Sequence, residues 1–290
     1  AAGAAGAGGV AGHGGQPASG GAGGTVPVTD FFEPGPYNVT AVDGEHPSPN
    51  CGLFDDTLDY TLYTPDGGSA APLIVLGHGF ERGRGNMVEM AQHMASYGVR
   101  VVTPDYCALG IGDTDHPRNA TDQVGLAAAL AGGAPVIHAG YSAGGSVAIL
   151  ATAADSTATA LLALDAVNGP QGEGAAAAPG ITVPTFGIDG EPSSCNQNNN
   201  DGTHLAKLVP GGTAARAVGA THCDFEGPTN WVCTSTCGGE GQDGQRALIR
   251  ALATAYVAWR SGVDPTGEDW VTTAGGNYQR LESDGDISTL

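Results

Sequence analysis

Pro135-Val136-Ile137-His138-Ala139-Gly140-Tyr141-Ser142-Ala143-Gly144 is the stretch whose reading decides the fold. Pro135 to Ala139 is an apolar run suited to a buried strand, and Ser146 to Ala154 is small, apolar and helix-forming. Between them lies Gly-x-Ser-x-Gly. A strand, a sharp turn and a helix are the context in which that motif is a nucleophile elbow. The turn is tight enough that residues flanking the serine must lack bulk, hence the glycines. The hydroxyl then projects from the top of a sheet at a helix N-terminus, where developing negative charge is favoured. In a chain with 49 glycines the motif alone also fits an ordinary turn, so the flanking strand and helix carry the reading.

Outward from the elbow, apolar runs alternate with helical patterns. Strands are expected at Tyr60–Thr64, Leu73–Leu76, Val99–Thr103, Leu161–Leu164, Val183–Ile188 and Ala214–Val218. Helices are expected at Asn86–Tyr97, with Met87, Met90, Ala91 and Met94 on its core face, and at Asp122–Leu130, begun by Thr121 or Asp122. A final amphipathic helix is expected over Gln245–Arg260. Such alternation predicts an α/β fold, a mostly parallel central sheet with helices on both faces. Ligands on such sheets sit at the carboxyl ends of the strands.

Composition bounds the rest. Residues 1–25 are almost entirely Ala and Gly and read as a flexible linker, leaving 26–290 as a single domain. The net charge is −20, and Lys207 is the single lysine. That charge disfavours nucleic acid and anionic membrane surfaces as partners. No run is long and apolar enough to span a bilayer. The six cysteines, Cys51, Cys107, Cys195, Cys223, Cys233 and Cys237, fit disulfides and an oxidising, extracytoplasmic compartment, with the linker as a surface tether. A zinc reading of His222, Cys223, Cys233 and Cys237 matches no common finger spacing, and no metal or other cofactor is expected.

A serine nucleophile needs a base, a group that orients the base, and donors for an oxyanion. After Ser142 the candidate base is His222, just beyond the strand around Val218, with His204 its only competitor. The acid is Asp165, which follows Leu161–Leu164, or Asp189, which ends the next strand, with Glu191 a weaker third option. Leu76-Gly77-His78-Gly79-Phe80 follows a buried strand and offers the Phe80 N–H as an oxyanion donor beside that of Ala143. His78 is expected to brace this loop at the edge of the substrate site. Phe80 and Trp231 are candidate aromatic walls. The oxygen-rich loop Ser193–Gly202 reads as a polar lip, or as a site for a hard cation such as calcium.

Gly77-His78-Gly79-Phe80, Gly140-Tyr141-Ser142-Ala143-Gly144-Gly145, Leu164-Asp165-Ala166-Val167-Asn168-Gly169 and His222-Cys223-Asp224-Phe225 together resemble the chlorophyllase-like branch of the α/β-hydrolases. That branch is akin to bacterial cutinase-type polyester hydrolases. The resemblance runs from about Tyr37 to Ser261 and implies the α/β-hydrolase fold and a metal-independent serine esterase; separately from it, a monomer is expected. Its substrate would be a small-molecule or polymeric ester. In chlorophyllases the acid follows the strand carrying Leu-Asp-x-Val, which corresponds to Asp165. In cutinase-type enzymes it lies a few residues beyond Val-Pro-Thr, which here falls near Ser193, not an acid. The resemblance therefore favours Asp165 over Asp189.

The chain departs from the pattern at Tyr141-Ser142-Ala143, where chlorophyllases commonly carry His-Ser-Arg. It departs again at Val167, a substrate-facing position where cutinase-type enzymes usually place a Trp. By the same analogy a Cys195–Cys223 bridge would clip the histidine loop. A polyester depolymerase is the nearest alternative activity. A non-catalytic binding module on the same scaffold is the alternative of another class.

Overall fold

The computed structural model describes residues 29–51, 56–237 and 241–290. The expected linker, residues 1–25, lies outside the described residues. The chain is built on a nine-stranded sheet, flanked by helices on both faces. Its strands are β1 (Val39–Pro47), β2 (Thr57–Pro65), β3 (Leu73–Gly77), β4 (Arg100–Pro104), β7 (Val136–Tyr141), β8 (Ala158–Leu164), β9 (Thr185–Asp189), β10 (Thr213–Ala217) and β11 (Ile287–Thr289). The two-residue strands β5 (Leu109–Gly110) and β6 (Asp113–Thr114) form a separate hairpin. The sheet order is β1-β2-β4-β3-β7-β8-β9-β10-β11. Neighbours from β4 to β10 pair in parallel, while β1, β2 and β11 join antiparallel at the edges. Every residue of β3, β4 and β7 is buried, as expected of parallel strands covered on both faces.

Alternate side chains of these strands feed two cores. Ile74, Leu76, Val101, Ile137, Ala139, Leu162 and Leu164 meet the methionines of α1 (Val88–Ala95) and the apolar face of α7 (Asp243–Ser261). On the opposite face, Leu73, Val75, Val102 and Val136 pack on Leu126 and Ala127 of α2 (His116–Ala131). Beside α2 lies α3 (Ala143–Ala154), the helix of the elbow. Short segments complete the chain: α4 (Glu173–Ala177), α5 (Gln197–Gly202), α6 (Trp231–Cys237), α8 (Glu268–Val271) and α9 (Gly276–Asp284).

Three elements differ from the sequence expectation. α2 starts at His116 rather than near Thr121. The Asp115 side chain caps it by accepting the Arg118 N–H at 3.0 Å, and Pro117 sits in the first turn, where its missing N–H costs nothing. Gln245–Arg260 is not the last element, since α8, α9 and β11 follow. β1 was not anticipated because it is an exposed edge strand with little apolar alternation. Among the described residues, no helix is long and apolar enough to cross a membrane.

Candidate active site

The connection after β3 runs to β4 on one side and the connection after β7 runs to β8 on the other, so the loops after β3 and β7 lie together at the point where the winding reverses. Ser142 occupies the turn between β7 and α3 with φ 56° and ψ −124°. This is a left-handed, strained backbone for a residue with a side chain. The two glycines of the motif make it attainable. A Cβ on Gly140 would sit 2.0 Å from the Gly144 carbonyl oxygen, and one on Gly144 would sit 2.3 Å from that of His78. The turn is fixed by the Ser142 N–H donating to Leu164 O, and by its carbonyl accepting from Val167 N, both at 2.9 Å.

His222 lies in the turn after β10, where Thr221 and Asp224 cap one another. Its Nε2 is 2.9 Å from Ser142 Oγ and its Nδ1 is 2.6 Å from Asp165 Oδ2. All three residues are buried. The imidazole packs on Tyr141, ring centroids 4.9 Å apart, and Tyr141 stacks in turn on Phe225. Asp165 follows β8 directly, with φ 39°. Its Oδ1 accepts the Gly190 N–H at 3.0 Å, and both of its oxygens accept from Asn196 Nδ2 at 3.2 Å.

Asp189, the alternative acid, does not face His222. Its Oδ2 lies 2.6 Å from His204 Nδ1. Burial pushes the Asp189 carboxyl above the usual carboxylate range, while the hydrogen bond from His204 pulls the other way. Glu191 accepts the Gly219 N–H and also stands apart from His222.

The loop after β3 passes beside the serine, since a Cβ on Gly79 would lie 3.1 Å from Ser142 Cβ. Phe80 follows Gly79 on this loop, and Ala143 follows Ser142 as the first residue of α3, where helix geometry leaves N–H groups without an intrahelical acceptor. His78 is buried under this loop: Nδ1–H donates to Gly79 O at 2.8 Å and Nε2 accepts the Tyr106 N–H at 2.9 Å. Burial pushes its pKa down, which keeps this neutral tautomer. His78 thus braces the loop and has no face toward a substrate.

A cavity of about 310 Å³ opens over Ser142 and His222, walled by Phe80, Ile111, Val232, Thr236 and the half-cystines Cys195, Cys233 and Cys237. Ile111 is the tip of the β5–β6 hairpin and is 86% exposed. Glu81 ties that tip down: its N–H donates to Leu109 O at 2.9 Å, and its carboxylate accepts the Ile111 N–H. Trp231 is 77% exposed and lies outside the wall, where its neighbour Val232 stands instead. Val167 also lies outside it, its backbone bonded to Ser142 and Ser146. Arg82 also lines the cavity, its Nε 2.9 Å from the buried Glu226 carboxylate, and burial pushes Glu226 above its usual range.

The expected Cys195–Cys223 bridge is corrected by the structure. The bonds are Cys51–Cys107, Cys195–Cys237 and Cys223–Cys233. α6 stands between the two loops and receives both, Cys223 at its middle and Cys195 at its end. The sulfurs of Cys223, Cys233 and Cys237 lie within 4.8 Å of one another, so sequence spacing had little power to choose between partners. Asn196 and Gly190, which surround Asp165, were missed by the sequence reading. The signal lay within the oxygen-rich loop Ser193–Gly202, read as a polar lip or a hard-cation site. Asn196 and Asn200 instead turn their side-chain oxygens inward onto protein N–H groups.

No model of a known protein family matches the chain, and no curated protein matches it.

Proposed function

We propose that this chain is a secreted carboxylic ester hydrolase of the α/β-hydrolase fold, working through an acyl-enzyme. The observation that carries the reading is the unbroken chain Ser142 Oγ, His222, Asp165, at 2.9 and 2.6 Å, beneath an apolar cavity. Ser142 attacks the ester carbonyl as His222 Nε2 takes its proton. Asp165 holds the Nδ1–H tautomer and stabilises the imidazolium. The Phe80 and Ala143 amides receive the tetrahedral oxyanion. His222 then returns the proton to the leaving alcohol, and water attacks the acyl-enzyme by the same route. The resemblance to chlorophyllase-like and cutinase-type enzymes supports this reading. Three disulfides support the extracytoplasmic compartment.

The test is hydrolysis of a p-nitrophenyl ester series by the purified protein and by Ser142→Ala. Turnover is expected for the first, with a fall of about 10⁴-fold or more for the second. Absence of turnover by the native chain on every acyl length would favour the binding-module alternative.

A second reading, hydrolysis of polymeric esters, is favoured by the exposed apolar rim of Phe80, Ile111 and Val232 around an open cavity. Soluble products released from a polyester film by the native chain, and not by Ser142→Ala, would support it.

A further inference from the structure

We propose that Asn196, the residue that caps the left-handed turn α5, is a positioning residue for the Asp165 carboxylate; this deepens the serine-esterase reading and rests on it.

Asn196 is fully buried, and every hydrogen-bonding valence of its amide is engaged. Its Oδ1 accepts the N–H groups of Ser193 at 2.8 Å and Asn199 at 3.1 Å. Its Nδ2 donates to both Asp165 oxygens at 3.2 Å and to Glu191 O at 2.9 Å. A flipped amide would set donor against donor and acceptor against acceptor, so the network itself fixes the orientation. With the Gly190 N–H, Asn196 determines which carboxylate oxygen faces His222 and shares the charge of both.

The backbone that holds Asn196 is unusual. Gln197, Asn198, Asn199, Asn200 and Asp201 all have φ between 51° and 56°. Consecutive left-handed L-residues are unfavourable, least so for Asn and Asp, and persist only where the surroundings over-determine them. Here they do. Asn199 Nδ2 donates to Gly190 O at 3.2 Å, beside one flank of Asp165. On the other flank, Asn200 Nδ2 donates to Ala166 O at 2.8 Å while its Oδ1 accepts Asn168 N–H at 2.7 Å. The Cys195–Cys237 bond closes the turn against α6. The turn grips the loops after β8 and β9 and delivers one amide to the carboxylate between them.

The charged groups around this carboxylate are already matched. From β9, Asp189 is paired with His204, and from the loop after it the Glu191 carboxylate accepts the Gly219 N–H. From the turn after β10, Glu226 is paired with Arg82, and Asp224 lies 3.7 Å from Arg246. Removing the Asn196 donors therefore leaves uncompensated charge on Asp165, which binds the His222 imidazolium more tightly. The base must be neutral to act, so the acidic limb of the kcat/KM profile should move to higher pH.

The experiment compares native chain, Asn196→Ala and the isosteric Asn196→Asp on a p-nitrophenyl ester across pH. Circular dichroism checks folding, and proton NMR follows the His222 Nδ1–H resonance. Expected for Asn196→Ala is a fall in kcat/KM of roughly ten- to a hundredfold, the worth of a hydrogen bond to a charged group, with the acidic limb displaced upward. Asn196→Asp, which sets a carboxylate against Asp165, should displace the limb further. The Nδ1–H resonance should move in both variants. Folded variants with an unmoved limb and resonance would overturn the proposal, as would failure of both to fold, which would make Asn196 a folding residue only. A native chain with no turnover but a resonance that responds to Asn196→Ala would sink the esterase reading and leave the positioning intact.

Discussion

Two His–Asp pairs stand one strand apart at the same edge of the sheet. His222 and Asp165 meet at 2.6 Å, and so do His204 and Asp189. Residue types, distance and strand-end placement are alike, yet only His222 has Ser142 on its other nitrogen and a cavity above it. Only Asp165 gathers a backbone N–H and an Asn amide on its oxygens. His204 hydrogen-bonds a buried carboxylate, whereas His222 connects one to a hydroxyl. In the proposed reading, what sets His222 and Asp165 apart is the third partner, not the geometry of the pair.

The largest effect that would break this contrast is on turnover. Asp165→Asn should lower kcat about 10⁴-fold, the cost of leaving the imidazole in the wrong tautomer. Asp189→Asn should change it by less than about tenfold, because no reacting group touches it. Steady-state kinetics on one p-nitrophenyl ester decides, and the reverse order would move the acid to β9.

The next effect is on the elbow that gives His222 its partner. Gly144→Ala places a Cβ against the His78 carbonyl and should destabilise the fold by about 3 kcal/mol, read from urea unfolding. Then comes the staple beside His222. Removing Cys223–Cys233 with paired Ser substitutions should cost about 3 kcal/mol by loop entropy. It should also lower kcat, since Cys223 is adjacent to His222. A loss of stability with unchanged kcat would show that the turn after β10 holds without it.

The smallest effect concerns the sign of pH dependence. A third pair, His138–Asp155, lies at 3.0 Å below the elbow helix, and the hydrogen bond from His138 holds Asp155 well below its usual pKa. The unfolded chain then binds more protons, so this contribution is present above about pH 4 and is lost as pH falls below it. Burial raises Asp189 instead, so its contribution is fullest at low pH and declines as pH rises from about 4 through the raised value. Denaturant unfolding at several pH values should give Asp155→Asn a deficit that shrinks on acidification. The corresponding difference for Asp189→Asn should change in the opposite direction.

Much of this was legible in the chain. The apolar runs placed the parallel strands because a strand covered on both faces must be apolar throughout. The motif Gly140–Gly144 placed Ser142 because only glycine tolerates the backbone approaches of 2.0 and 2.3 Å that the turn imposes. The order of residue types restricted the base to His222 or His204. What the sequence could not decide was each partner: Asp165 against Asp189, Cys237 against Cys223, Val232 against Trp231, and the inward turn of Asn196. Hydrophobic periodicity and backbone sterics act on neighbours in the chain and leave a mark there. Hydrogen-bond and disulfide partners are set by which loop ends the folded sheet brings within a few ångströms, and that proximity exists only in the tertiary structure.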